Sequence, residues 1–206
     1  MRFQKRGTLR FLSHHDLIRL FDRAIRRADI PIAMSEGFNP RPKMSFPLAL
    51  ALGIEGREEI VELGLAGWLS PKALMESLQG QLPQELEITQ VEPISPRNDS
   101  RIGQVVYHIS WNAPIIINQG QIEQILASQE LWVYREKKGK KKTLNLRPSI
   151  SSITPVDKGL ELRLQVTPEG MLRPEEVLHV LGLGRDPNNT PKIVRSEVHL
   201  SPQEAD

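Results

Sequence analysis

Residues 13–28, SHHDLIRLFDRAIRRA, decide how the first half of the chain folds. At 100° per residue, counted from Leu17, the apolar side chains of this stretch fall within one arc, which is typical of an amphipathic helix. Ser13 can serve as the N-cap, and Asp16 at the third helical position places a carboxylate near the positive end of the helix dipole. The stretch therefore predicts a helix that begins after Ser13 and packs through one face.

The segments that flank this helix predict an α+β half with an antiparallel sheet. Apolar residues alternate as in strands on both sides of the helix, and Ser70-Pro71 marks the start of a second helix that Pro83 ends. The predicted order is strand, helix, strand, strand, helix, strand, which is the ferredoxin-like order. The four strands are expected at 2–12 (around a turn at 5–7), 48–52, 61–65 and 86–91.

Residues 95–103 are rich in turn-forming residues, so we expect a linker between a first half, 1–94, and a second half, 104–206. The second half has a similar order of elements, with added extended material near 150–157. Its helices and strands are predicted at 105–111, 119–129, 131–135, 144–146, 160–166, 173–181 and 193–200. The predicted fold class is α+β, with two tandem ferredoxin-like halves and antiparallel sheets.

The composition limits the chemistry that the chain can carry. Its 206 residues are 39% hydrophobic, enough for one large core or two small ones. It has no cysteine, which excludes a disulfide, a thiol nucleophile and a thiolate site for zinc or an iron–sulfur cluster in this chain alone. Because it has no run of about 18 apolar residues and no secretory signal pattern, we expect a cytoplasmic protein without a membrane span.

Charge is unevenly distributed along the chain. The net charge at pH 7 is only +2, yet residues 1–50, 51–100, 101–150 and 151–206 carry net charges of +6, −6, +5 and −3. Two basic zones therefore alternate with two acidic ones. This pattern suits an anionic partner, and it also serves solubility.

The predicted helix at 13–28 has an arginine-rich face. Its members are Arg19, Arg23, Arg26 and Arg27, which lie between about 180° and 280° on the helical wheel. Guanidinium groups bind phosphate oxygens in bidentate fashion, so this face is suited to phosphates. The alternative is a solvated face on which Asp22 and Asp29 pair with some of the arginines.

Residues 35–47, SEGFNPRPKMSFP, predict a shaped loop. Each proline favours an extended conformation in the residue before it, so we expect Asn39 and Arg41 to be held out. Arg41 and Lys43 lie between two phenylalanines, the first of which is Phe38. Cations beside an aromatic ring suit an anionic, planar partner such as RNA. The alternative is a rigid connector whose charges are solvated.

The triplet His14-His15-Asp16 invites a metal-binding or acid–base interpretation. Its side chains diverge by about 100° per residue on a helix, so they do not converge on one ion or form a triad with Ser13. Local roles at the helix start are the main expectation, and no metal site is predicted. If the chain is catalytic, His14 acting with a loop residue is the candidate.

Five lysines fall where a hairpin of the second half is expected to turn: Lys137, Lys138, Lys140, Lys141 and Lys142. Such a cluster keeps neighbouring strands from pairing with other chains. It is also suited to attract RNA without sequence preference.

Several motifs together resemble a known family. They are Gly7–Leu12, Ser13-His14-x-Asp16-Leu17-x-Arg19, Arg23-Ala24-x-Arg26-Arg27-Ala28, Pro31, Glu36–Pro40, Pro42-Lys43, Leu144–Pro148, Gly170 with Arg173-Pro174, and Lys192–Glu197. The chain resembles the radical-SAM-associated domain of unknown function, which occurs as a separate chain or as a carboxy-terminal partner of radical S-adenosylmethionine proteins. His15 departs from the family pattern, because an apolar residue is expected there.

The resemblance implies a radical S-adenosylmethionine protein as partner, and a connection with RNA processing or modification. It carries over no activity. The iron–sulfur cluster and S-adenosylmethionine are then expected only on the partner domain or protein, with no cofactor in this chain.

We therefore expect a noncatalytic substrate-recognition module that presents a basic helix and loop to RNA or a ribonucleoprotein. The nucleic-acid-binding candidates are Arg19, Arg23, Arg26, Arg27, Phe38, Asn39, Arg41 and Lys43. One alternative is a metal-independent RNA-cleaving or RNA-modifying enzyme with His14 as general acid or base. Another is a protein-interaction domain that docks on the radical enzyme.

Overall fold

The computed structural model describes residues 1–95, 100–137, 140–167, 170–184 and 186–201 of a mixed α+β protein. The chain forms two compact units, Met1–Arg101 and Ile102–Asp206. The division falls inside the segment predicted as a linker, of which residues 96–99 lie outside the described part. None of the described helices is long and apolar enough to cross a membrane.

In the first unit, a small antiparallel sheet has β1 at its centre, between β3 and β5. Strands β2 and β4 pair separately with each other. The elements in chain order are β1 (Arg2–Lys5), a 3₁₀ helix (Gly7–Phe11), α1 (His14–Arg27), β2 (Met44–Ser45), β3 (Glu55–Ile60), β4 (Glu62–Leu63), α2 (Pro71–Gln79) and β5 (Leu86–Gln90).

The core of the first unit joins the apolar faces of α1 and α2 to the sheet. Phe3 of β1 and Phe21 of α1 meet edge to face, with ring centroids 5.2 Å apart. Leu78 of α2 and Ile88 of β5 are buried in the same cluster. Both predicted helix starts are confirmed, because Ser13 and Ser70 occupy the N-cap positions and their hydroxyl oxygens accept backbone N–H groups.

Two strand predictions in this unit were wrong. Residues 48–52 form no strand: Leu50 is buried whereas Leu52 is 63% exposed, so the alternating leucines do not share one environment. The chain is extended instead in β3, which lies between the predicted strands at 48–52 and 61–65. The first predicted strand ends early, because Gly7 at φ 61° turns the chain into a 3₁₀ helix.

In the second unit, the sheet has the strand order β12-β6-β10-β9, all antiparallel, and β11 pairs with the end of β10. The elements are β6 (Ile102–Ser110), α3 (Gln119–Ala127), β7 (Trp132–Lys137), β8 (Lys140–Asn145), a 3₁₀ helix (Arg147–Ser149), β9 (Ile150–Val156), β10 (Gly159–Thr167), β11 (Gly170–Met171), α4 (Pro174–Val180) and β12 (Lys192–Leu200). The elements predicted for this half are present, with boundaries that differ by a few residues.

Strands β7 and β8 form a separate two-stranded sheet, the β7–β8 ribbon. Its base is closed by Asn145, whose Oδ1 accepts the Leu131 N–H at 2.9 Å and the Arg147 N–H at 3.1 Å. Arg147 in turn donates to the carbonyl of Leu126 near the end of α3 and to that of Ile150. The motif at 144–148 is therefore structural here. Lys138, and the side chains of the other four clustered lysines, lie outside the described part.

Gly159, at the start of β10, lies against the backbone of β6. A Cβ at this position would be 1.9 Å from the carbonyl oxygen of Ile109, a distance that no side chain tolerates. The register that places Gly159 opposite Ser110 therefore requires glycine.

Candidate nucleic-acid interface

The first turn of α1 fixes the orientation of the helix that carries His14 and the four candidate arginines. Ser13 Oγ accepts a hydrogen bond from the Asp16 N–H at 3.2 Å and donates one to Asp16 Oδ2 at 2.6 Å. This side-chain hydrogen bond is the main cause that holds the pKa of Asp16 below its ordinary value, and the Arg19 guanidinium lowers the pKa further. The helix therefore starts at a defined residue, which sets the rotation of its polar face.

The polar face of α1 presents all four arginines to solvent. Two are paired within the helix: Arg19 Nη1 lies 3.3 Å from Asp16 Oδ1, and Arg26 Nε lies 3.1 Å from Asp22 Oδ1. The pairing with Asp22 was predicted, whereas Asp16 acts in place of Asp29, which lies beyond the helix. Exposed pairs of this kind contribute only about 0.2–1 kcal/mol, so a phosphate can replace the carboxylate.

The other two arginines differ in how firmly they are held. Arg27 donates from Nε to Gln81 Oε1 at 3.1 Å and from Nη2 to the Gln81 carbonyl at 2.7 Å, which ties α1 to the turn after α2. Arg23 makes no hydrogen bond or ion pair with any described residue. Of the four guanidinium groups, that of Arg23 is the most available to a ligand.

The 35–41 loop stands on a hydrogen-bonded base. The Ser35 N–H donates to the Arg41 carbonyl at 2.7 Å, and the Arg41 N–H donates to Ser35 Oγ at 3.0 Å. Below this closure, Lys43 donates to Ala33, Ala33 to Gly64, and Gly64 back to Lys43, each between backbone groups at 2.7–2.8 Å. The ends of the loop are therefore fixed by these hydrogen bonds.

The tip of the 35–41 loop projects into solvent. Gly37 has φ 117°, a conformation that favours glycine, and the next residue, Phe38, is 105% exposed. Asn39, Arg41 and Lys43 are exposed as well. Within the described part of the chain, neither Arg41 nor Lys43 makes a side-chain hydrogen bond or an ion pair. The loop and Lys43, which follows it, thus offer one aromatic ring and two cations to a partner.

His14 packs beside an aromatic ring. Its centroid lies 5.5 Å from that of Phe46, edge to face. Burial is the main cause that lowers the pKa of His14, and the nearby charges of His15 and Lys5 lower the pKa further. No described residue accepts or donates a hydrogen bond to the His14 ring, and the described side chains include no group of three or more His, Asp or Glu placed to hold a metal ion.

Phe46 connects the loop segment to α1. Its ring centroid lies 5.6 Å from that of Phe21 and 6.2 Å from that of Phe3, so the chain leaving the loop is anchored in the core on which α1 packs. Among the described residues, no hydrogen bond or ion pair joins the loop cations to the α1 arginines. The structure therefore places both parts of the candidate interface on one unit and leaves their charged groups independent of each other.

Two exposed aromatic side chains of the second unit were missed in the sequence-based prediction. Trp132 is 54% exposed and Tyr134 is 80% exposed. Both lie on β7 two positions apart, which places them on one face of the β7–β8 ribbon. This alternation was visible in the sequence, but which face is covered depends on Arg135 and its distant partner Glu176.

Comparisons with known proteins give a family and a distant structural likeness. Residues 1–174 match a family described as an uncharacterized protein conserved in bacteria (DUF2344). A comparison with curated proteins found no match. Among solved structures, a chain in a crystal structure of a Cbf5-Nop10-Gar1 complex is similar, with a TM-score of 0.44 and 10% identity over 96% of this chain. The chain spans 48% of the length of that solved chain.

Proposed function

The chain belongs to a bacterial protein family that is described as uncharacterized (DUF2344), and we propose that it is a noncatalytic substrate-recognition or accessory domain that binds RNA or a ribonucleoprotein. The proposed contact residues, called the α1–loop surface, are Arg19, Arg23, Arg26, Arg27, Phe38, Asn39, Arg41 and Lys43. The observation that carries the proposal is the segment 35–43, in which Phe38, Arg41 and Lys43 are exposed on a hydrogen-bonded base.

Phe38 supplies the stacking part of the proposed contact. A phenylalanine side chain gains about 1.5–3 kcal/mol on burial, so a fully exposed one leaves this free energy available for a partner. Its position on a loop with fixed ends limits the entropy that is lost when a base stacks on the ring. Stacking of a base on an aromatic ring is worth about 1–3 kcal/mol.

Arg23, Arg41 and Lys43 supply the electrostatic part. All three are exposed and have no partner among the described residues, so a phosphate can bind them without displacing an internal contact. Arg19 and Arg26 must exchange an exposed aspartate for a phosphate, which costs little. Contacts of this kind release counterions and make RNA affinity fall steeply with salt concentration.

A metal-independent RNA-cleaving or RNA-modifying enzyme is the second candidate function. It is favoured by the lowered pKa of His14, which keeps the imidazole neutral near pH 7 and able to accept a proton. Arg41 or Lys43 would then stabilise developing negative charge. In this case His14→Ala abolishes conversion of RNA and leaves RNA binding unchanged. An unchanged rate of conversion in the variant would contradict a catalytic role for His14.

The resemblance to the radical-SAM-associated domain motivates a proposed protein partner. We propose that the chain acts in the cytoplasm beside a radical S-adenosylmethionine protein, which would carry the iron–sulfur cluster and the S-adenosylmethionine. In a third candidate function, the basic surface meets an acidic patch of that protein instead of RNA. Co-purification that survives nuclease treatment favours direct protein contact, whereas loss of the partner on nuclease treatment favours RNA as the link.

The finer fold assignment, two ferredoxin-like halves, belongs with these proposals. In the second unit it is supported by the order β12-β6-β10-β9, with helices between β6 and β9 and between β10 and β12. In the first unit it is supported by the order β3-β1-β5, which corresponds to three of the four strands. Sheets of this type frequently bind RNA.

The test of RNA binding compares the wild type with an Arg23→Glu, Arg41→Glu, Lys43→Glu variant. The ligand is a labelled pool of structured RNA, and affinity is measured by fluorescence anisotropy at about 50 and about 200 mM salt. We expect salt-sensitive binding by the wild type. We expect the variant to bind at least about tenfold more weakly, with a salt slope that is smaller by about one for each phosphate that it no longer binds.

Two results would overturn the proposal. One is a wild-type protein that does not bind RNA at the lower salt concentration. The other is a folded triple variant whose affinity and salt slope equal those of the wild type. Circular dichroism of each protein shows whether weaker binding reflects a loss of structure.

A further inference from the structure

The β7–β8 ribbon has one face that carries large exposed aromatic rings. Trp132 and Tyr134 lie on this face of β7, 54% and 80% exposed. They are opposite Asn145 and Thr143 of β8, whose smaller side chains leave the rings uncovered. An exposed pair of large rings on one strand is unusual for a surface that meets only water.

The opposite face of the ribbon is bound to the rest of the second unit through Arg135. Arg135, which follows Tyr134 on β7 and belongs to that opposite face, donates from Nη2 to Glu176 Oε2 at 2.6 Å and to the Met171 carbonyl at 3.0 Å. Although burial acts to raise the pKa of Glu176, the hydrogen bonds from Arg135 and from the Arg173 N–H keep it below its ordinary value. The carboxylate therefore remains ionised and paired, and the ribbon is fixed with its aromatic face outward.

The rings are positioned as well as exposed. Trp132 Nε1 donates to Glu130 Oε2 at 2.8 Å, which orients the indole. Asn145 closes the base of the ribbon at Leu131. Residues two apart on a strand are separated by about 6.7 Å, so the two rings stand in a row along β7. A row of aromatic rings on a fixed strand is the arrangement on which proteins stack successive bases of single-stranded nucleic acid.

The charge of neighbouring residues indicates which kind of ligand suits the aromatic face of the ribbon. The sequence places five lysines at 137–142, from the last residue of β7 to the first residues of β8, and their charge complements a polyanion. We propose that the β7–β8 ribbon is a stacking platform on which Trp132 and Tyr134 hold two successive bases of single-stranded RNA. The inference rests on the proposed function only for its ligand, because its residues all lie in the second unit and none belongs to the α1–loop surface.

The test uses the full chain with a labelled single-stranded oligouridylate of about 12 nucleotides, a site size within the usual range. The variant Trp132→Ala, Tyr134→Ala removes both rings. The control Trp68→Ala, Ile116→Ala removes two apolar side chains that are 88% and 92% exposed elsewhere on the protein. We expect the first variant to bind about 5- to 150-fold more weakly for each stacked base that it no longer holds, and the control to bind like the wild type.

Two further measurements separate stacking from a structural role. The conservative variant Trp132→Phe, Tyr134→Phe keeps both rings and is expected to restore most of the affinity. In a Trp68→Phe protein, Trp132 is the exposed tryptophan, since Trp111 is buried, and its fluorescence is expected to be quenched by the oligonucleotide but not by a duplex of equal length.

The outcomes distinguish this inference from the proposed function. If the ring variant keeps its affinity for the oligonucleotide, or if Trp132 is not quenched, the stacking platform is wrong, even where the Arg23, Arg41, Lys43 variant loses binding to structured RNA. If only the ring variant loses binding, the platform stands and the α1–loop surface is wrong. A ribbon that binds a second copy of the chain and no RNA also overturns the inference.

Discussion

At the scale of single residues, the structure separates side chains that look alike in the sequence. Arg23 and Arg27 lie four positions apart on the same face of α1, yet only Arg27 is tied to Gln81, through two hydrogen bonds. Arg147 is likewise held by the carbonyls of Leu126 and Ile150. A cation engaged in this way is part of the fold, so substitution of Arg27 should affect stability as well as any binding.

Ser13 gives a local prediction. Ser13→Ala removes the N-cap of α1 and both hydrogen bonds to Asp16. We expect the free energy of unfolding, measured by urea denaturation near pH 7, to fall by about 1 kcal/mol. We also expect the pKa of Asp16, measured by NMR, to rise toward its ordinary value. Ser45→Ala, at an exposed position of β2, serves as the control, and an equal loss of stability there would contradict a capping role for Ser13.

His14 gives a prediction about pH. Its pKa is lowered in the folded protein, chiefly by burial, so between that value and about 6.5 the unfolded chain binds more protons than the folded one. The free energy of unfolding should therefore rise with pH through this window and reach its full value above it. We expect His14→Gln to flatten this part of the profile in urea denaturation between about pH 5 and pH 8. A profile with an unchanged slope would contradict the assignment.

At the scale of elements, the 35–41 loop and the β7–β8 ribbon both have bases closed by polar side chains. Ser35 closes the 35–41 loop at Arg41, and Asn145 closes the β7–β8 ribbon at Leu131. A short loop or a two-stranded ribbon has little core of its own, so these hydrogen bonds determine how rigidly its base is held.

Asn145→Ala tests the base of the ribbon. The substitution leaves the Leu131 and Arg147 N–H groups without their shared acceptor. We expect a loss of about 1–3 kcal/mol in the free energy of unfolding. We also expect amide hydrogen exchange to become faster than in the wild type, and more so in β7 and β8 than in β6 and β10. Thr143→Ala, at an exposed site on β8, is the control. Exchange rates in the ribbon equal to those of wild type would show that Asn145 does not hold it.

Gly159→Ala tests the closest strand contact. Its Cβ would lie 1.9 Å from the Ile109 carbonyl oxygen, so β10 must shift away from β6. We expect a loss of about 1–3 kcal/mol in the free energy of unfolding. Gly67→Ala introduces the same methyl group where nothing lies within 4 Å, and it is expected to leave stability almost unchanged. Equal stability of the two variants would contradict the close packing of β10 on β6.

At the scale of the whole molecule, RNA binding through net charge and RNA binding through a local surface lead to different predictions. The Arg23, Arg41, Lys43 to glutamate variant changes the net charge from +2 to −4, and so does the matched variant Arg57→Glu, Lys72→Glu, Arg101→Glu. If RNA is held at the α1–loop surface, the matched variant should keep its affinity within about threefold, because none of its three substituted residues belongs to that surface and salt weakens the effect of other exposed charges. Equal losses in both variants would mean that overall charge governs binding.

The sequence by itself determined the features that depend on neighbouring residues. The starts of α1 and α2 follow from Ser13 and Ser70, because a cap is formed by groups three residues away. The bend of the 35–41 loop follows from Gly37, which adopts a φ that other residues rarely adopt, and from its proline, which fixes its own φ. Strand β10 follows from the alternation of Leu160, Leu162 and Leu164, which are buried on one face of the strand.

Only the tertiary structure decided the features that depend on residues far apart in the chain. It showed that the leucines at 48–52 form no strand and do not share one environment, since Leu50 is buried and Leu52 is exposed. It also showed that Arg27 is bound to Gln81 whereas Arg23 is not. It showed that the pairing of Arg135 with Glu176 leaves Trp132 and Tyr134 on the exposed face of the ribbon. Local sequence patterns indicate which secondary structure a segment can form. Contacts with distant residues determine which of its faces and charged groups remain exposed to a partner.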